Sequence, residues 1–389
     1  MAAVVAVLAL AAAGAPAQSL PGHSPAAPPG AGTVVTWASA PQSLGGSFAD
    51  KTTRNVVHTS IGGSHVRVRL SNAYGTVPVT FASVYAGLRR SGADVVPVTN
   101  QKVTFGGRDS VAVPRGAHAL SDPVPMTVAA GADLAVSVYL PGGSGNATGH
   151  AYGAQEAYYA DGNTAGQDSG AGFPYRSRQF YWVDAVTVEP RGTASTVVTL
   201  GDSITEGHLS TVGANRRYPD RLAARLARGG RFGVANAGIG GNRVLADGAG
   251  DSALARLDRD VLSLPRVRTV IFLEGINDIT WNATAEELIA GHLQVIARLH
   301  AAGVRVVGGT LTPFEGSGAY SPAREEQRTA LNAWIRTEAP YDAVVDFDAA
   351  TRDPAAPGRF RPEFDSGDHL HPGDAGYAAM AAAVDLGAL

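Results

Sequence analysis

At 389 residues the chain exceeds what one compact core usually supports, so two domains are expected. With 45% hydrophobic and 17% charged residues it can bury a sizeable core, which excludes wholesale disorder. A net charge of -3 without any Lys/Arg run removes the electrostatic footprint that nucleic acid selects, and the absence of cysteine excludes disulfides, a catalytic thiol and thiolate metal sites.

Residues 1–17 form an apolar Ala/Val/Leu run that closes on small residues, and Ala13-Gly14-Ala15 and Ala15-Pro16-Ala17 both fit an A-x-A cleavage site. No Lys or Arg opens the run, but it reads as a secretory signal and predicts a secreted, extracellular protein. It is too short to span a bilayer, and no other segment is apolar over about 18 residues, so no integral membrane segment is expected. Residues 18–32, rich in Pro, Gly and Ala, read as a linker. From 33 to 190 the apolar stretches are short and strand-like: Val34 to Trp37, Val66 to Leu70 with its Val-Arg-Val-Arg-Leu alternation, Val77 to Tyr85, Val103 with Phe105, Leu134 to Leu140, and Phe180 to Val188. Gly, Pro, Asn or Asp bounds each, and no helical period persists, which predicts an all-β sandwich domain.

From 195 to 389 the pattern changes to alternating strand, loop and helix, the signature of an α/β domain with a parallel sheet. Strands are expected at Thr196 to Leu200, Phe232 to Asn236, Thr269 to Glu274, Val304 to Gly308 and Ala343 to Phe347. Helical spacing groups Leu254, Leu257 and Val261 on one face, Ile289, Leu293 and Ile296 on another, and Tyr377, Met380 and Val384 on a third. Thr284 followed by Glu287 starts the second of these with a capping box.

In such a sheet, ligands bind beyond the carboxyl ends of the strands, and four loops lie there. Gly201-Asp202-Ser203 follows the first strand, where a serine exposes its hydroxyl beside backbone N–H groups, although the tripeptide also serves ordinary turns. Asn236 to Asn242 is a glycine-rich loop able to bring a backbone N–H close to a reacting group. It superficially resembles a dinucleotide fingerprint, but Arg243 stands where the third glycine belongs, and the chain has no P-loop. Gly275-Ile276-Asn277-Asp278 places a side-chain amide at a strand end, either as an oxyanion donor or as plain turn chemistry. Asp368-His369-Leu370-His371-Pro372 sets a carboxylate three residues ahead of a histidine. That is the pair a serine needs for activation; the competing reading, a metal cluster of Asp368, His369 and His371, lacks an evident further ligand.

Taken in order, the four loops resemble the blocks of the SGNH (GDSL-type) hydrolases over about residues 195–389. The resemblance implies a flavodoxin-like three-layer α/β/α sandwich and hydrolysis of carboxylic esters without a cofactor or metal. It implies Ser203, Asp368 and His371 as the catalytic triad. It further implies Ser203, Gly241 and Asn277 as oxyanion donors, with Gly238 and Gly240 open as alternatives to Gly241. His369 sits too close to Asp368 to serve as the base and is placed with Trp281 and Phe314 as a cleft residue. The segment from Trp37 to Gln42 through Arg67 to Asn72 resembles, more loosely, the β-sandwich that precedes the hydrolase domain in some secreted bacterial SGNH proteins. That domain could bind carbohydrate, wall the active-site cleft or only stabilise; aromatic residues cluster late in it, among them Tyr152, Tyr159 and Tyr175. The expected substrate is a small-molecule or polysaccharide ester, with acetyl or aromatic acyl groups favoured. A lipase acting on longer chains and a catalytically silent carbohydrate-binding protein are the alternatives.

Overall fold

Residues 32–389 are described by a computed structural model; the leader expected at 1–17 and all but the last residue of the linker lie outside the described residues. In the N-terminal region the main strands are β1 (Val34–Ala38), β2 (Lys51–His58), β3 (Ser64–Ser71), β4 (Ser83–Ser91), β5 (Asp133–Leu140), β6 (Ala147–His150), β7 (Ala157–Asp161) and β8 (Val183–Glu189). They form antiparallel sheets, one containing β1-β8-β3 and another β7-β2-β5-β4 in those spatial orders. Val34, Val68, Leu70 and Val186 of the first and Val57, Val84, Leu134 and Val136 of the second share one core, all of them 0% exposed.

The alternation at Val66 to Leu70 marks β3, whose valines and leucine face that core. The other face is not left to solvent: Arg69 pairs with Asp184 at 2.7 Å and reaches Ser263 Oγ of the C-terminal region at 2.9 Å. β2, by contrast, has no place among the expected strands, because its centre reads Thr52-Thr53-Arg54-Asn55. All four are buried at 0% exposure. Polar groups in an interior strand need partners, and the side chains of Thr52, Arg54 and Asn55 have them, whereas the Thr53 hydroxyl has none among the described residues. Arg54 donates to Ser137 Oγ at 2.7 Å and to the carbonyls of Ala93 and Gln167 at 2.6 and 2.5 Å, with its guanidinium 4.0 Å over the Phe173 ring. Asn55 is bonded to both the N–H and the carbonyl of Tyr181. The run expected from Phe180 to Val188 breaks at Trp182, whose φ of 55° is outside the strand region; this turn puts its indole, 0% exposed, edge-on against Phe48 and Phe81.

The C-terminal region alternates β9 (Ser195–Gly201), α1 (Tyr218–Leu226), β10 (Phe232–Gly238), β11 (Val267–Leu273), α2 (Ala285–Ala301), β12 (Arg305–Gly309), α3 (Pro322–Thr337), β13 (Ala343–Val345) and α4 (Asp374–Ala383). Its five strands are parallel in the spatial order β10-β9-β11-β12-β13. β9 is buried almost throughout, as a central parallel strand must be. Strand order reverses between β9 and β11, which opens a crevice at their carboxyl ends.

Two expectations in this region need correction. The last strand stops at Val345, because Asp346 accepts the Ala349 N–H at 3.0 Å and starts a helix at Phe347. The capping box at Thr284 and Glu287 forms, but the buried face of α2 is Leu288, His292, Val295 and Leu299 with Ile296, while Leu293 is 41% exposed. The face is rotated because Gly291 packs on Val244 and Leu245 and His292 bonds to the Tyr341 hydroxyl at 2.6 Å, and neither residue carries an apolar signal in the sequence.

The two regions lie within one compact unit, Gly32–Leu389. β1 runs beside β10 and meets it at a parallel bridge between Ser39 and Asn236, with the Val234 N–H on Ser60 Oγ at 2.8 Å. Gly233 permits this approach, since a Cβ there would stand 1.8 Å from the Val35 carbonyl oxygen. No described helix is long and apolar enough to cross a membrane.

Candidate active site

β9 ends at Gly201, and Asp202 caps the short helix Ser203–Glu206 by accepting the Ile204 N–H at 2.9 Å. Ser203 is thereby the first helical residue, with its hydroxyl at the reversal of strand order. His371 arrives from the segment before α4, and its Nε2 lies 2.9 Å from Ser203 Oγ, across 168 residues of chain. Its Nδ1 lies 2.6 Å from Asp368 Oδ2. A carboxylate only accepts, so Nδ1 carries the proton and Nε2 is left to accept from the serine. Burial alone would raise the Asp368 carboxyl. The His371 ring and the N–H groups of His371 and Leu370 outweigh it and hold the group well below the usual carboxylate range, so the aspartate is ionised beside the ring. Ser203 and His371 are each 8% exposed, enough for a small group to reach them.

The glycine-rich loop distinguishes its three candidate amides. Gly238 N–H donates to Asn236 Oδ1 at 2.9 Å and Gly240 N–H to Glu206 Oε1 at 3.0 Å, whereas Gly241 N–H has no acceptor among the described residues. Asn277 donates one amide hydrogen to the Asn242 carbonyl at 2.9 Å, which orients the side chain and leaves its second hydrogen unassigned. Asp278 binds the same loop by accepting the N–H groups of Val244 and Leu245 at 2.9 and 3.0 Å.

Beneath these loops lies a residue with no signal in the sequence. Arg256, 0% exposed, donates to the carbonyls of Gly201 and Ala237 at 2.9 and 2.7 Å and to Asn242 Oδ1 at 2.9 Å, and stands 3.3 Å from Asp260 and 3.7 Å from Glu274. One guanidinium thus ties the ends of β9 and β10 to the loops that follow β10 and β11. Burial pushes the Glu274 carboxyl well above its ordinary range, and pushes Asp202 up to about 7, with Asp278 and Glu206 nearby adding to the effect.

The residues expected to line a cleft divide. Phe314 does not line one: it is 0% exposed, edge-on to Tyr320 within the core of the C-terminal region, because the chain turns back under the sheet end after β12. Trp281 is 72% exposed and lies under the Arg243 guanidinium at 5.0 Å. His369 is exposed and bonded to Asp365 rather than to Asp368 or His371. Among the described residues no group of three or more His, Cys, Asp or Glu side chains is placed to hold a metal ion. Two rings absent from the expected site stand by His371, one directly and one through the other. His208 is 4.6 Å from it between centroids, and Tyr152 of the N-terminal region packs edge-on against His208 at 5.2 Å. Burial, and then the neighbouring His371, lower the His208 pKa, which favours a neutral ring.

Residues 199–379 match the GDSL-like lipase/acylhydrolase family. Among solved structures the chain is similar to an aryl esterase from M. smegmatis, at 15% identity and a TM-score of 0.41 over 49% of this chain and 96% of that one. It is also similar to a variant of an acetyl xylan esterase from Geobacillus stearothermophilus (21%, TM-score 0.39, 49% and 93%) and to a GDSL-like lipase from Bacteroides thetaiotaomicron (23%, TM-score 0.36, 48% and 84%). No curated protein matches the chain. The four loops, the serine at the strand end and the family match converge on one assignment: residues 199–379 belong to the GDSL-like lipase/acylhydrolase family, a family of carboxylic ester hydrolases.

Proposed function

We propose that the protein is a secreted serine esterase in which Ser203, His371 and Asp368 act as a catalytic triad. The observation that carries this reading is the pair of contacts made by His371, 2.9 Å to Ser203 Oγ and 2.6 Å to Asp368 Oδ2, since they set the tautomer in which the ring can take the serine proton. Ser203 Oγ attacks the ester carbonyl as His371 Nε2 receives its proton. Asp368 stabilises the imidazolium, and the N–H groups of Ser203 and Gly241 with the Asn277 amide donate to the developing oxyanion. The imidazolium then protonates the leaving alcohol, and the same ring activates the water that hydrolyses the acyl-enzyme.

The finer architecture belongs to the same proposal: a flavodoxin-like three-layer α/β/α domain over 195–389, supported by the β10-β9-β11-β12-β13 order, behind a β-sandwich domain over 33–190. Export rests on the apolar run at 1–17 with its small-residue end. The substrate class proposed is short acyl or polysaccharide-linked acetyl and aromatic acyl esters, in keeping with an exported enzyme that carries a β region. The cavity between the two regions, bounded by Trp37, His150, Tyr152 and Glu206, has about 30 Å³ and is too small for an ester.

Hydrolysis of a p-nitrophenyl acyl series by wild type and Ser203→Ala, with and without chelator, tests the reading. Wild type should turn over the short esters regardless of chelator, and Ser203→Ala should lose roughly six orders of magnitude in kcat. Activity retained in Ser203→Ala would remove the serine from the mechanism; a preference for long chains would replace the short-acyl class by a lipase.

A further inference from the structure

We infer that Glu206 and His150 form a clamp that anchors the turn carrying the Gly241 N–H, which makes the N-terminal β region a working part of the oxyanion site; this rests on the esterase reading above. The clamp begins with a turn. Asn242 N–H bonds to the Ile239 carbonyl at 3.1 Å, so Ile239 to Asn242 is a β-turn with Gly240 and Gly241 at its centre. Gly241 has φ of 75°, the value of the third residue in a type II turn. Types I and II share the closing hydrogen bond and differ by reversal of the central peptide, the one that carries the Gly241 N–H. With glycine on both sides, that reversal meets almost no steric resistance. A turn this soft needs an anchor outside itself to keep its place beside the nucleophile helix.

Glu206 is that anchor, holding the peptide just before the donor's. Its Oε1 accepts the Gly240 N–H at 3.0 Å, and its Oε2 lies so close that a Cβ on Gly240 would be 2.8 Å away. Glu206 is 4% exposed, and a carboxylate so placed needs a partner. The partner is His150 at the end of β6, also 4% exposed, with Nε2 at 3.1 Å from Glu206 Oε1. His150 Nδ1 lies 2.9 Å from the Ala40 carbonyl, which only accepts, so Nδ1 bears a proton. A chain of contacts runs from the N-terminal region through Glu206, at the end of the nucleophile helix, to the turn that presents the donor. Glu206 and His150 are positioning residues, since neither touches the reacting atoms.

The experiment is steady-state hydrolysis of p-nitrophenyl acetate by wild type, Glu206→Ala, Glu206→Gln and His150→Ala, with Tm and the inhibition constant of phenylboronic acid measured for each. Glu206→Ala should lower kcat roughly 10- to 100-fold with little change in KM, less than the 100- to 1000-fold that outright removal of a donor brings. Boronate affinity should fall with kcat, because the boronate mimics the tetrahedral oxyanion. Glu206→Gln should restore most of kcat, because its amide oxygen in the place of Oε1 still accepts from the Gly240 N–H. His150→Ala should lose kcat with unchanged KM although it lies in the other region. If Glu206→Ala is folded and keeps its kcat, loses only KM, or is matched by Glu206→Gln in its loss, the clamp is wrong. If Glu206→Ala does not fold, the Gln and His150 variants decide by the same criteria. A wild type that fails to hydrolyse the ester overturns the esterase reading itself, whereas an active wild type with indifferent clamp variants overturns only this inference.

Discussion

Both regions of residues 32–389 bury polar side chains, but they use them differently. On β2 of the N-terminal region the buried polar groups close on their own region: Arg54 is held by Ser137, Ala93, Gln167 and Phe173, and Asn55 by Tyr181. In the C-terminal region they converge on the strand ends, where Arg256 gathers Gly201, Ala237 and Asn242 and Asp278 gathers Val244 and Leu245. The first arrangement stabilises a sheet; the second holds separate loops in register around Ser203. Burial of a charge is thus no guide to function by itself, and the identity of the groups it bonds to is.

Substitutions can break or sharpen that contrast. The largest effect should come from Asp368→Asn, which preserves shape but favours the wrong tautomer of His371; kcat should drop about 10⁴-fold with Tm little changed, and a small loss would mean that the carboxylate does not orient the base. Arg54→Met should act in the opposite sense. It leaves the carbonyls of Ala93 and Gln167 without a donor, so stability should fall by about 3–5 kcal/mol in denaturant unfolding while kcat per folded molecule holds. A selective loss of kcat in that variant would undo the division between the regions. Asn277→Ala removes a donor at the strand end and should cost 100- to 1000-fold in kcat at constant KM, checked by the same p-nitrophenyl assay.

The smallest effect concerns Asp202. Burial pushes its carboxyl up to about 7, above its value near 4 in the unfolded chain, so the folded state holds the proton more tightly. The stability contributed is fully present below about pH 4 and is lost as pH rises toward 7. Asp202→Asn keeps an oxygen for the Ile204 N–H and cannot ionise. Its stability relative to wild type should therefore rise by about 2–3 kcal/mol between pH 5 and pH 7, read from paired denaturant curves. A gap that does not change with pH would show that Asp202 does not titrate in this window.

Legibility in the sequence followed the chemistry of burial. The parallel strands could be read because they are apolar on both faces, and the loops after them because serine, glycine, asparagine, aspartate and histidine recur there in a definite order. Tyr377 and Met380 keep their helical spacing in α4 and are buried, and Val384, just past the end of the helix, is buried as well. β2 was invisible for the opposite reason: it is interior yet polar, and periodicity reports burial only where the buried residues are apolar. The α2 face was misread because His292 and Gly291 carry no hydrophobic weight. Phe314 was misplaced because strand-end position does not say whether a side chain points outward or into the core.

The sequence by itself determined the division into a strand-rich and an alternating region, the order of the parallel strands along the chain, and the four loops that bear the candidate chemistry, since each depends on residues within a few positions of one another. Only the tertiary structure decided that His371 meets Ser203 across 168 residues, that Gly241 alone of three loop glycines has an N–H without an acceptor among the described residues, and that His150 reaches Glu206 from the other region. Those contacts arise when distant segments are packed together and their polar groups must find partners away from water, and no local pattern records which partner each will find.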